Sequence, residues 1–209
     1  MAEGTDHDVD HYFTAQPASP GDLRPLAVRL GGRELQLATA SGVFSPDRLD
    51  TGTQVLLREA PAPPAHGDLL DLGCGWGPVA LHLALTSPEA RVWGVDVNER
   101  SVDLLRRNAE HLGLPGVRAC LPDDVPDDVR FGAIWSNPPI RVGKAVLHDL
   151  LLRWLPRLDD GASAYLVVQK NLGSDSLQRW LAEQVGPQGF VVDRYASAKG
   201  FRVLHVQAP

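Results

Sequence analysis

A glycine-rich stretch follows a short apolar run near the middle of the sequence. The run spans residues 68–72, and the glycine pattern that overlaps it reads Asp71-x-Gly73-x-Gly75-x-Gly77. Such a run is typical of a strand that is covered on both faces, as in a parallel sheet. Glycines let the chain turn sharply and leave bare main chain against which a ligand can lie. A helix after the turn would direct its free N–H groups at that ligand.

The spacing of the glycines separates two classes of ligand. A dinucleotide site has the pattern G-x-G-x-x-G, in which the third glycine stands three residues past the second. Here the residue three past Gly75 is Pro78. The stretch instead resembles motif I of the class I S-adenosylmethionine-dependent methyltransferases, whose loop passes under the methionine end of the cofactor. The resemblance implies that S-adenosylmethionine is bound by Asp71, Gly73, Cys74, Gly75 and Gly77.

Acidic residues after the next two predicted strands extend this binding site. Asp96 ends a predicted strand nineteen residues past Gly77. A carboxylate at the carboxyl end of the neighbouring strand can accept hydrogen bonds from both ribose hydroxyls of an adenosine group. We therefore expect Asp96, with the adjacent Val97, to bind the ribose. One of Asp123 or Asp124 is expected to accept a hydrogen bond from the adenine amino group, and Asp124 is preferred.

A second stretch, Ser136-Asn137-Pro138-Pro139-Ile140, follows the predicted fourth strand. Two adjacent prolines fix two φ angles and remove two N–H donors. The turn therefore presents the Asn137 carboxamide oxygen and the Pro138 carbonyl as acceptors in a rigid arrangement. Two acceptors suit an NH₂ group, and they can hold an exocyclic amine so that its lone pair meets the sulfonium methyl in line. An ordinary Asn-Pro turn is the alternative.

The rest of the pattern predicts the elements that position these residues. Strands are expected at 68–72, 91–96, 117–120, 131–136, 164–168, 190–192 and 201–206. Apolar residues at helical spacing predict helices after the glycine loop, after a cap at Asn98, after Lys144 and over 174–185. In the helix after Lys144, the side chains expected to point inward are Val146, Leu147, Leu150, Leu151, Trp154 and Leu155.

The N-terminal part differs from the rest in composition. Residues 1–10 are polar and are expected to form a disordered tail. Residues 11–60 are expected to form an extension with a β-hairpin (26–30 and 33–37, with a glycine turn), a lid segment and a helix over Gln54–Ala60. Residues 61–209 are expected to form the main domain. Within the lid segment, Phe44 either packs the extension onto the main domain or covers the cofactor, and Thr53 is also expected near the cofactor.

Composition excludes several classes of protein. Hydrophobic residues make up 44% and charged residues 22% of 209 residues, as in ordinary globular proteins. We expect a cytoplasmic location, because no apolar stretch is long enough for a membrane span and no secretory signal is visible. The two cysteines make no disulfide framework, and no Cys/His spacing suggests a metal. A net charge of −6 argues against binding nucleic acid by bulk electrostatics, so basic contacts must be local.

Taken in order, these landmarks resemble the catalytic domain of the bacterial small-subunit ribosomal RNA guanine-N2 methyltransferases, within the methyltransferase small domain family. The segments His11-Tyr12-Phe13, Gly42-Val43-Phe44-Ser45, Asp50-x-Gly52-Thr53 and Phe201-Arg202-Val203 add to the likeness. The resemblance implies an α/β, Rossmann-like fold with a seven-stranded, mostly parallel sheet, an antiparallel last strand, and helices on both faces. The family usually has an aromatic residue after Asn-Pro-Pro, whereas Ile140 stands here, which can pack on a base without π-stacking.

The first functional hypothesis is therefore methyl transfer to guanine N2 in ribosomal RNA, with Asn137, Pro138, Pro139 and Ile140 at the reacting amine. The partner is small-subunit RNA or its particle, and the protein is expected to be a monomer without metal. Phosphates would meet a local basic rim, for which the candidates are Arg24, Arg29, Arg33, Arg141, Lys144 and Lys170. Other acceptors suit the same turn, namely adenine N6, a protein glutamine amide or a small molecule. A catalytically silent, cofactor-binding scaffold is the alternative from another class.

Overall fold

The structure, a computed structural model, describes residues 23–209 and contains two sheets. The expected tail and the segment His11-Tyr12-Phe13 lie outside the described residues. The strands are β1 (Arg24–Leu30), β2 (Arg33–Thr39), β3 (His66–Leu72), β4 (Glu89–Val95), β5 (Val117–Cys120), β6 (Phe131–Ser136), β7 (Leu158–Gln169), β8 (Val191–Ala198) and β9 (Phe201–Gln207). The helices are α1 (Thr51–Glu59), α2 (Pro78–Thr86), α3 (Glu99–His111), α4 (Lys144–Trp154) and α5 (Ser174–Val185).

The main sheet has seven strands in the order β5-β4-β3-β6-β7-β9-β8. Its strands run parallel except β9, which is antiparallel to both β7 and β8. The strand order reverses direction at β3, since β4 lies on one side of it and β6 on the other. In open parallel sheets, ligands bind outside the carboxyl ends of the strands at such a point. The sheet expected from the sequence is confirmed, including the antiparallel last strand.

Helices cover both faces of the sheet and enclose two apolar cores. One core joins α1, α2 and α3 to the β1–β2 hairpin and one face of the sheet. The other core joins α4 and α5 to the opposite face. The N-terminal extension therefore shares the core of the main sheet, because Leu30, Leu37 and Val55 are buried in the first cluster. Within residues 23–209, no helix is long and apolar enough to cross a membrane.

Helix α3 approaches the sheet closely at one side chain, Leu105. An added Cβ at Gly94 of β4 would lie 2.1 Å from Leu105 Cδ2, and one at Gly77 would lie 2.3 Å from Leu105 Cδ1. Real Cβ atoms do not approach other atoms so closely, so both positions need glycine while Leu105 keeps its place. Gly77 also has φ +98°, a conformation that side chains disfavour. This packing fixes the start of α2 against α3.

The structure changes several predicted boundaries. Helix α1 begins at Thr51 rather than Gln54, because the Asp50 side chain caps it by accepting a hydrogen bond from the Thr53 N–H at 3.1 Å. Strand β7 begins at Leu158 and β8 extends to Ala198, both longer than predicted. The polar residues in these extensions are compatible with a strand because they lie on exposed parts of the sheet.

The prediction that Val146 points inward is wrong. Its side chain is 53% exposed, whereas Leu147, Leu151 and Trp154 of the same helix are buried. Leu147, Leu151 and Trp154 follow the i, i+4, i+7 spacing of one helix face, and Val146 stands about 100° away from Leu147 around the axis. The start of α4 therefore carries apolar side chains on more of its circumference than the core covers.

Candidate functional site

The glycine loop follows β3 at the carboxyl edge of the sheet. Its first two amides, of Gly73 and Cys74, donate hydrogen bonds to the Val95 carbonyl at 2.8 and 3.0 Å. Gly73 and Gly75 have φ of +78° and +56°. An added Cβ at Gly75 would meet nothing within 4 Å, and one at Gly73 only Pro139 Cδ at 3.9 Å. The glycines at 73 and 75 thus leave open space over bare main chain, in contrast to Gly77, which packs against Leu105.

A pocket opens over this loop, between it and the start of α1. It is lined by Phe44, Ser45, Asp50, Thr53, Asp71, Gly73, Cys74, Gly75, Trp76, Pro78, Val79 and Asn137. The structure therefore brings together seven residues that the sequence predicts at the site, namely Phe44, Thr53, Asp71, Gly73, Cys74, Gly75 and Asn137. The predicted residues that do not line this pocket are Gly77, Asp96, Val97, Asp124, Pro138, Pro139 and Ile140.

Two buried carboxyl groups, of Asp71 and Asp96, support the loop from below. Asp71 accepts a hydrogen bond from the Ala80 N–H of α2 at 2.8 Å. Asp96 accepts hydrogen bonds from the N–H groups of Gly75 and Asn98, each at 2.9 Å. Burial raises the pKa of Asp71 to about 8, and the nearby Asp96 adds to the rise while the Ala80 N–H opposes it. Burial also raises the pKa of Asp96, although its backbone donors oppose the shift.

The raised pKa of Asp71 predicts a pH-dependent stability. The ordinary pKa is 3.8, so between about pH 4 and pH 8 the folded protein binds a proton at Asp71 that the unfolded chain has lost. The stability from this proton is fully present below the unfolded pKa and is lost as pH rises through the folded pKa. The side chain of Asp71→Asn does not titrate. We therefore expect the melting temperature of this variant, minus that of the natural protein, to increase as the pH rises from 5 to 8. A pH-independent difference between the two melting temperatures would contradict the raised pKa.

Asn137 is held in one orientation by the start of α1. Its Nδ2 donates hydrogen bonds to Asp50 Oδ2 at 2.9 Å and to Thr53 Oγ1 at 3.1 Å. Both N–H groups of the carboxamide are therefore used, and the chemistry of the two partners assigns which atom is nitrogen. Among the described residues, no donor reaches Oδ1, which remains available to a ligand at the pocket wall.

The turn after Asn137 differs in one respect from the arrangement expected from the sequence. The Ile140 N–H donates a hydrogen bond to the Pro138 carbonyl at 2.8 Å, across Pro139. One lone pair of this carbonyl is thus occupied, and one remains for a second donor. Ile140 itself is partly buried and packs against the core beneath α4 and α5. Part of its apolar surface therefore belongs to the core rather than to the pocket.

Phe44 and its neighbours form one wall of the pocket. Val43 is 5% exposed and packs into the core, whereas Phe44 is 45% exposed and lines the pocket. Of the two expected roles for Phe44, packing the extension onto the main domain therefore falls to Val43. Trp76 of the glycine loop donates a hydrogen bond from Nε1 to the Ser45 carbonyl at 3.2 Å, which ties this wall to the loop.

The remaining predicted site residues lie outside the pocket, either at the carboxyl edge of the sheet or away from it. Val97 is 45% exposed beside Asp96. Asp124 accepts a hydrogen bond from the Leu121 N–H at 3.2 Å, whereas Asp123 pairs with Arg153 at 2.8 Å. Lys144 and Lys170 are exposed at the start of α4 and after β7, and the Arg141 side chain lies outside the described part of the structure.

Two of the basic residues considered for the rim lie elsewhere. Arg29 and Arg33 flank the hairpin turn, whose Gly31 contacts His82 and Leu85 near the C-terminal end of α2. Because α2 begins at the glycine loop and runs away from it, the hairpin turn lies at the opposite edge of the sheet.

The reactive side chains of the site are few. Cys74 is buried, and burial together with Asp96 and Asp71 raises the pKa of its thiol well above the ordinary value, so the thiol stays protonated. A protonated thiol is not a nucleophile. Within residues 23–209, no group of three or more His, Cys, Asp or Glu side chains is arranged to hold a metal ion.

Asp50 is a candidate site residue that the sequence places only within the lid segment. Its signal is the spacing Asp50-x-x-Thr53, which is typical of a helix N-cap that accepts from the third residue on. A helix predicted to begin at Gln54 misses this cap. The contact with Asn137 joins residues that are 87 positions apart, and no local pattern signals it.

Comparisons with known proteins agree with this geometry. The model of the family "Methyltransferase small domain" matches residues 34–205. The chain is 33% identical over 177 residues to the uncharacterized protein YbxB of Bacillus subtilis, covering 83% of this chain and 88% of that protein. It is 39% identical over 197 residues to ribosomal RNA small subunit methyltransferase C of Pseudomonas aeruginosa, covering 90% of this chain and 56% of that protein.

A solved structure is similar over most of the chain. The T. thermophilus 16S rRNA N2 guanine methyltransferase, in complex with AdoMet and guanosine, superposes with a TM-score of 0.77 at 27% identity, covering 92% of this chain and 52% of that one. The chain thus spans about half the length of these ribosomal RNA methyltransferases. The family model covers far more than half of the chain, and the resemblance seen in the sequence is confirmed. The chain belongs to the methyltransferase small domain family, a family of S-adenosylmethionine-dependent methyltransferases.

Proposed function

We propose that this protein transfers a methyl group from S-adenosylmethionine to an exocyclic amine of ribosomal RNA, with guanine N2 as the acceptor. The observation that carries the proposal is the orientation of Asn137. Asp50 and Thr53 hold its NH₂ group, so that Oδ1 is the atom left to accept a hydrogen bond from a substrate. An acceptor fixed in this way, beside the open glycine loop, suits a donor NH₂ group.

The pocket fits the cofactor on structural grounds. Main chain at Gly73 and Gly75 lies bare under open space that a side chain would partly fill. The two carboxyl groups beneath the loop favour a positively charged ligand, because a nearby cation stabilises their ionised forms. S-adenosylmethionine carries a sulfonium and an ammonium group. We infer that Phe44, Asp71, Gly73, Cys74 and Gly75 hold its methionine end, while Thr53 beside them holds Asn137. Asp96, Val97 and Asp124 hold its adenosine end.

The turn that begins at Asn137 orients the substrate amine. When bound, S-adenosylmethionine supplies an electrophilic methyl group on sulfur. Asn137 Oδ1 and the remaining lone pair of the Pro138 carbonyl accept the two N–H bonds of the substrate amine, which turns the nitrogen lone pair toward the methyl carbon. Held in this way beside the bound cofactor, the amine nitrogen would receive the methyl group that the sulfonium supplies, and S-adenosylhomocysteine and a proton would be the other products. The chemistry needs orientation rather than a strong base.

The choice of RNA over other acceptors rests on the relatives. The T. thermophilus structure that superposes on this chain is a 16S rRNA N2 guanine methyltransferase, and its complex contains guanosine. The P. aeruginosa relative is a small-subunit ribosomal RNA methyltransferase. Adenine N6, a protein glutamine amide and a small-molecule amine would fit the same acceptor turn, and the acceptor experiment distinguishes them.

The acceptor experiment uses ribosomal subunits and bulk RNA from cells that lack this gene. They are incubated with the protein and methyl-labelled S-adenosylmethionine, then digested, and the labelled nucleoside is identified by mass spectrometry. Labelled N2-methylguanosine is the expected product. Label in N6-methyladenosine, protein or a small molecule would overturn the assignment of guanine N2 and identify the acceptor instead. Cofactor binding without label in any fraction would favour a silent scaffold.

The residues that hold Asn137 should affect turnover more than cofactor binding. We expect Thr53→Val, which removes one acceptor of the Asn137 NH₂ group, to lower kcat by about 2–10-fold. Asp50→Ser keeps a helix cap but is too short to reach Asn137, and it should lower kcat by about tenfold or more. The measurement is single-turnover methylation alongside calorimetric titration with S-adenosylmethionine.

Thr53→Ser is the matched control, since it retains the hydroxyl and should preserve most of the activity. Equal loss of cofactor affinity and of turnover in Asp50→Ser would indicate that Asp50 acts through the cofactor pocket instead of through Asn137.

A further inference from the structure

An open groove lies at the carboxyl end of β7, beside the turn between β8 and β9. Its volume is about 410 Å³, and it is lined by Lys170, Arg194, Ser197, Ala198, Lys199, Gly200, Phe201 and Arg202. Lys170 follows β7 directly, and its N–H donates a hydrogen bond to the Gly200 carbonyl at 2.8 Å. This contact joins the two sides of the groove.

A β-bulge in β8 brings the Arg194 side chain to the groove. The register of β8 against β9 shifts between Arg194 and Ala196. In a regular strand, residues 194 and 197 would face opposite sides of the sheet. The bulge adds one residue, so Arg194 and Ser197 both line the groove together with Arg202, the partner of Ser197 on β9. Bulges commonly re-aim side chains in this way.

The groove carries a local excess of positive charge. Its lining includes four cationic side chains, of Lys170, Arg194, Lys199 and Arg202, and none of its described lining residues is acidic. Arg202 is buried, at 8% exposure, and pairs with Asp175 of α5, which also lies 4.0 Å from Arg194. Lys170 and Lys199 are exposed. The charge most open to a ligand is therefore that of Lys170 and Lys199. In a chain with a net charge of −6, such a concentration of cations is a distinct surface feature.

Lys199 occupies an unusual backbone conformation. Its φ is +49°, and it is followed by Gly200 with φ +80°, in the two-residue turn between β8 and β9. Asn or Gly is preferred at such a position, since a longer side chain costs conformational energy there. The backbone of the turn therefore does not explain why a lysine stands at its tip. Its position extends the positive charge over the groove.

The groove adjoins the segment that holds Asn137. Phe201 lines the groove, and its ring lies against Gly52, where an added Cβ would be 3.0 Å from Phe201 Cε1. Gly52 stands between Asp50 and Thr53, the two partners of the Asn137 NH₂ group. The groove and the acceptor turn are thus separated by one packed layer at the same edge of the sheet.

We propose that this groove binds the phosphates of the RNA strand next to the methylated nucleotide. The inference deepens the proposed function, on which it rests. Lysine and arginine side chains bind phosphate oxygens and position a nucleic acid without reading its sequence. An open groove lined by these cations fits a phosphodiester chain, which must enter and leave on either side of the target base. Phe201 offers the groove an apolar surface beside the phosphates.

The test is RNA binding without methyl transfer. A fluorescein-labelled single-stranded RNA of mixed sequence, about 16 nucleotides long, is titrated by anisotropy at several salt concentrations. The groove variant is Lys170→Gln/Lys199→Gln. The matched control is Arg29→Gln/Arg33→Gln, which removes the same charge from the hairpin turn at the opposite edge of the sheet. Melting temperatures and S-adenosylmethionine affinity are measured for both variants, and neither should change.

We expect the groove variant to bind RNA at least about fivefold more weakly, with the slope of log K against log salt reduced by about 1.4, while the control stays near the natural protein. Equal RNA binding by the groove and control variants would overturn the proposal that the groove binds RNA, even if N2-methylguanosine is formed. Loss of RNA binding in the groove variant alone would support the groove, even if the methylated acceptor proves to be another base. Absence of RNA binding in the natural protein, or preference for anionic vesicles, would also overturn it.

Discussion

Asn137→Ala is expected to lower turnover by about 10²–10³-fold. The variant removes the acceptor Oδ1, and with it the group that orients the substrate nitrogen, while the glycine loop and the two carboxyl groups beneath it remain. We therefore expect the dissociation constant of S-adenosylmethionine to change by no more than about threefold, so that the loss appears in kcat. Single-turnover methylation and calorimetric titration separate the two quantities.

Gln36→Ala is a suitable control for this variant. It removes a carboxamide that is exposed on β2 and does not line the pocket. Its turnover should match that of the natural protein. Normal turnover in Asn137→Ala would mean that the substrate amine is held elsewhere, and the proposed role of the turn would fail.

Asp96→Ala is expected to weaken S-adenosylmethionine binding by about 1.5–3 kcal/mol, or about 10–150-fold, as for other hydrogen bonds to a charged group. We expect two contributions. The carboxylate has lone pairs for the ribose hydroxyls, and it also accepts hydrogen bonds from the Gly75 and Asn98 N–H groups. Calorimetric titration of the variant gives the total effect.

An analogue of the cofactor without ribose hydroxyls separates the two contributions. If Asp96 acts through the ribose, the natural protein and Asp96→Ala should bind this analogue with similar affinity. A variant that loses affinity equally for both ligands would show that Asp96 acts only by supporting the glycine loop. An unchanged dissociation constant for S-adenosylmethionine would place the ribose away from Asp96.

The parts of the site that were predictable from sequence are those whose backbone is fixed by local residue type. Glycines at 73 and 75 and prolines at 138 and 139 restrict or free φ at their own positions, so their turns are visible in the sequence. The strands before them are short apolar runs, and the carboxyl ends of parallel strands meet at one edge. The glycine loop and the position of Asn137 follow from these facts, whereas the sheet topology is implied by the resemblance to the family.

The parts that escaped prediction depend on contacts between distant segments. The partner of Asn137 is Asp50, from the extension, and the Pro138 carbonyl already has a partner in the Ile140 N–H. Arg194 joins Arg202 at the groove only through a bulge that shifts the register of β8. A bulge depends on how two strands pair, and the residue pattern of one strand alone does not specify it. The domain boundary at residue 61 stays a prediction.

The contacts of Leu105 have an evolutionary consequence. Gly94 has no positive φ, and what bars an alanine there is the Leu105 side chain, whereas Gly77 is restricted by φ +98° as well. The histories of these positions are therefore linked. An alanine at 94 requires the end of the Leu105 side chain to shift or residue 105 to become smaller, so residues 94 and 105 are expected to vary together. At Gly77 the φ of +98° would strain a side chain even after Leu105 had shifted, so variation at this junction is expected at 94 and 105 rather than at 77.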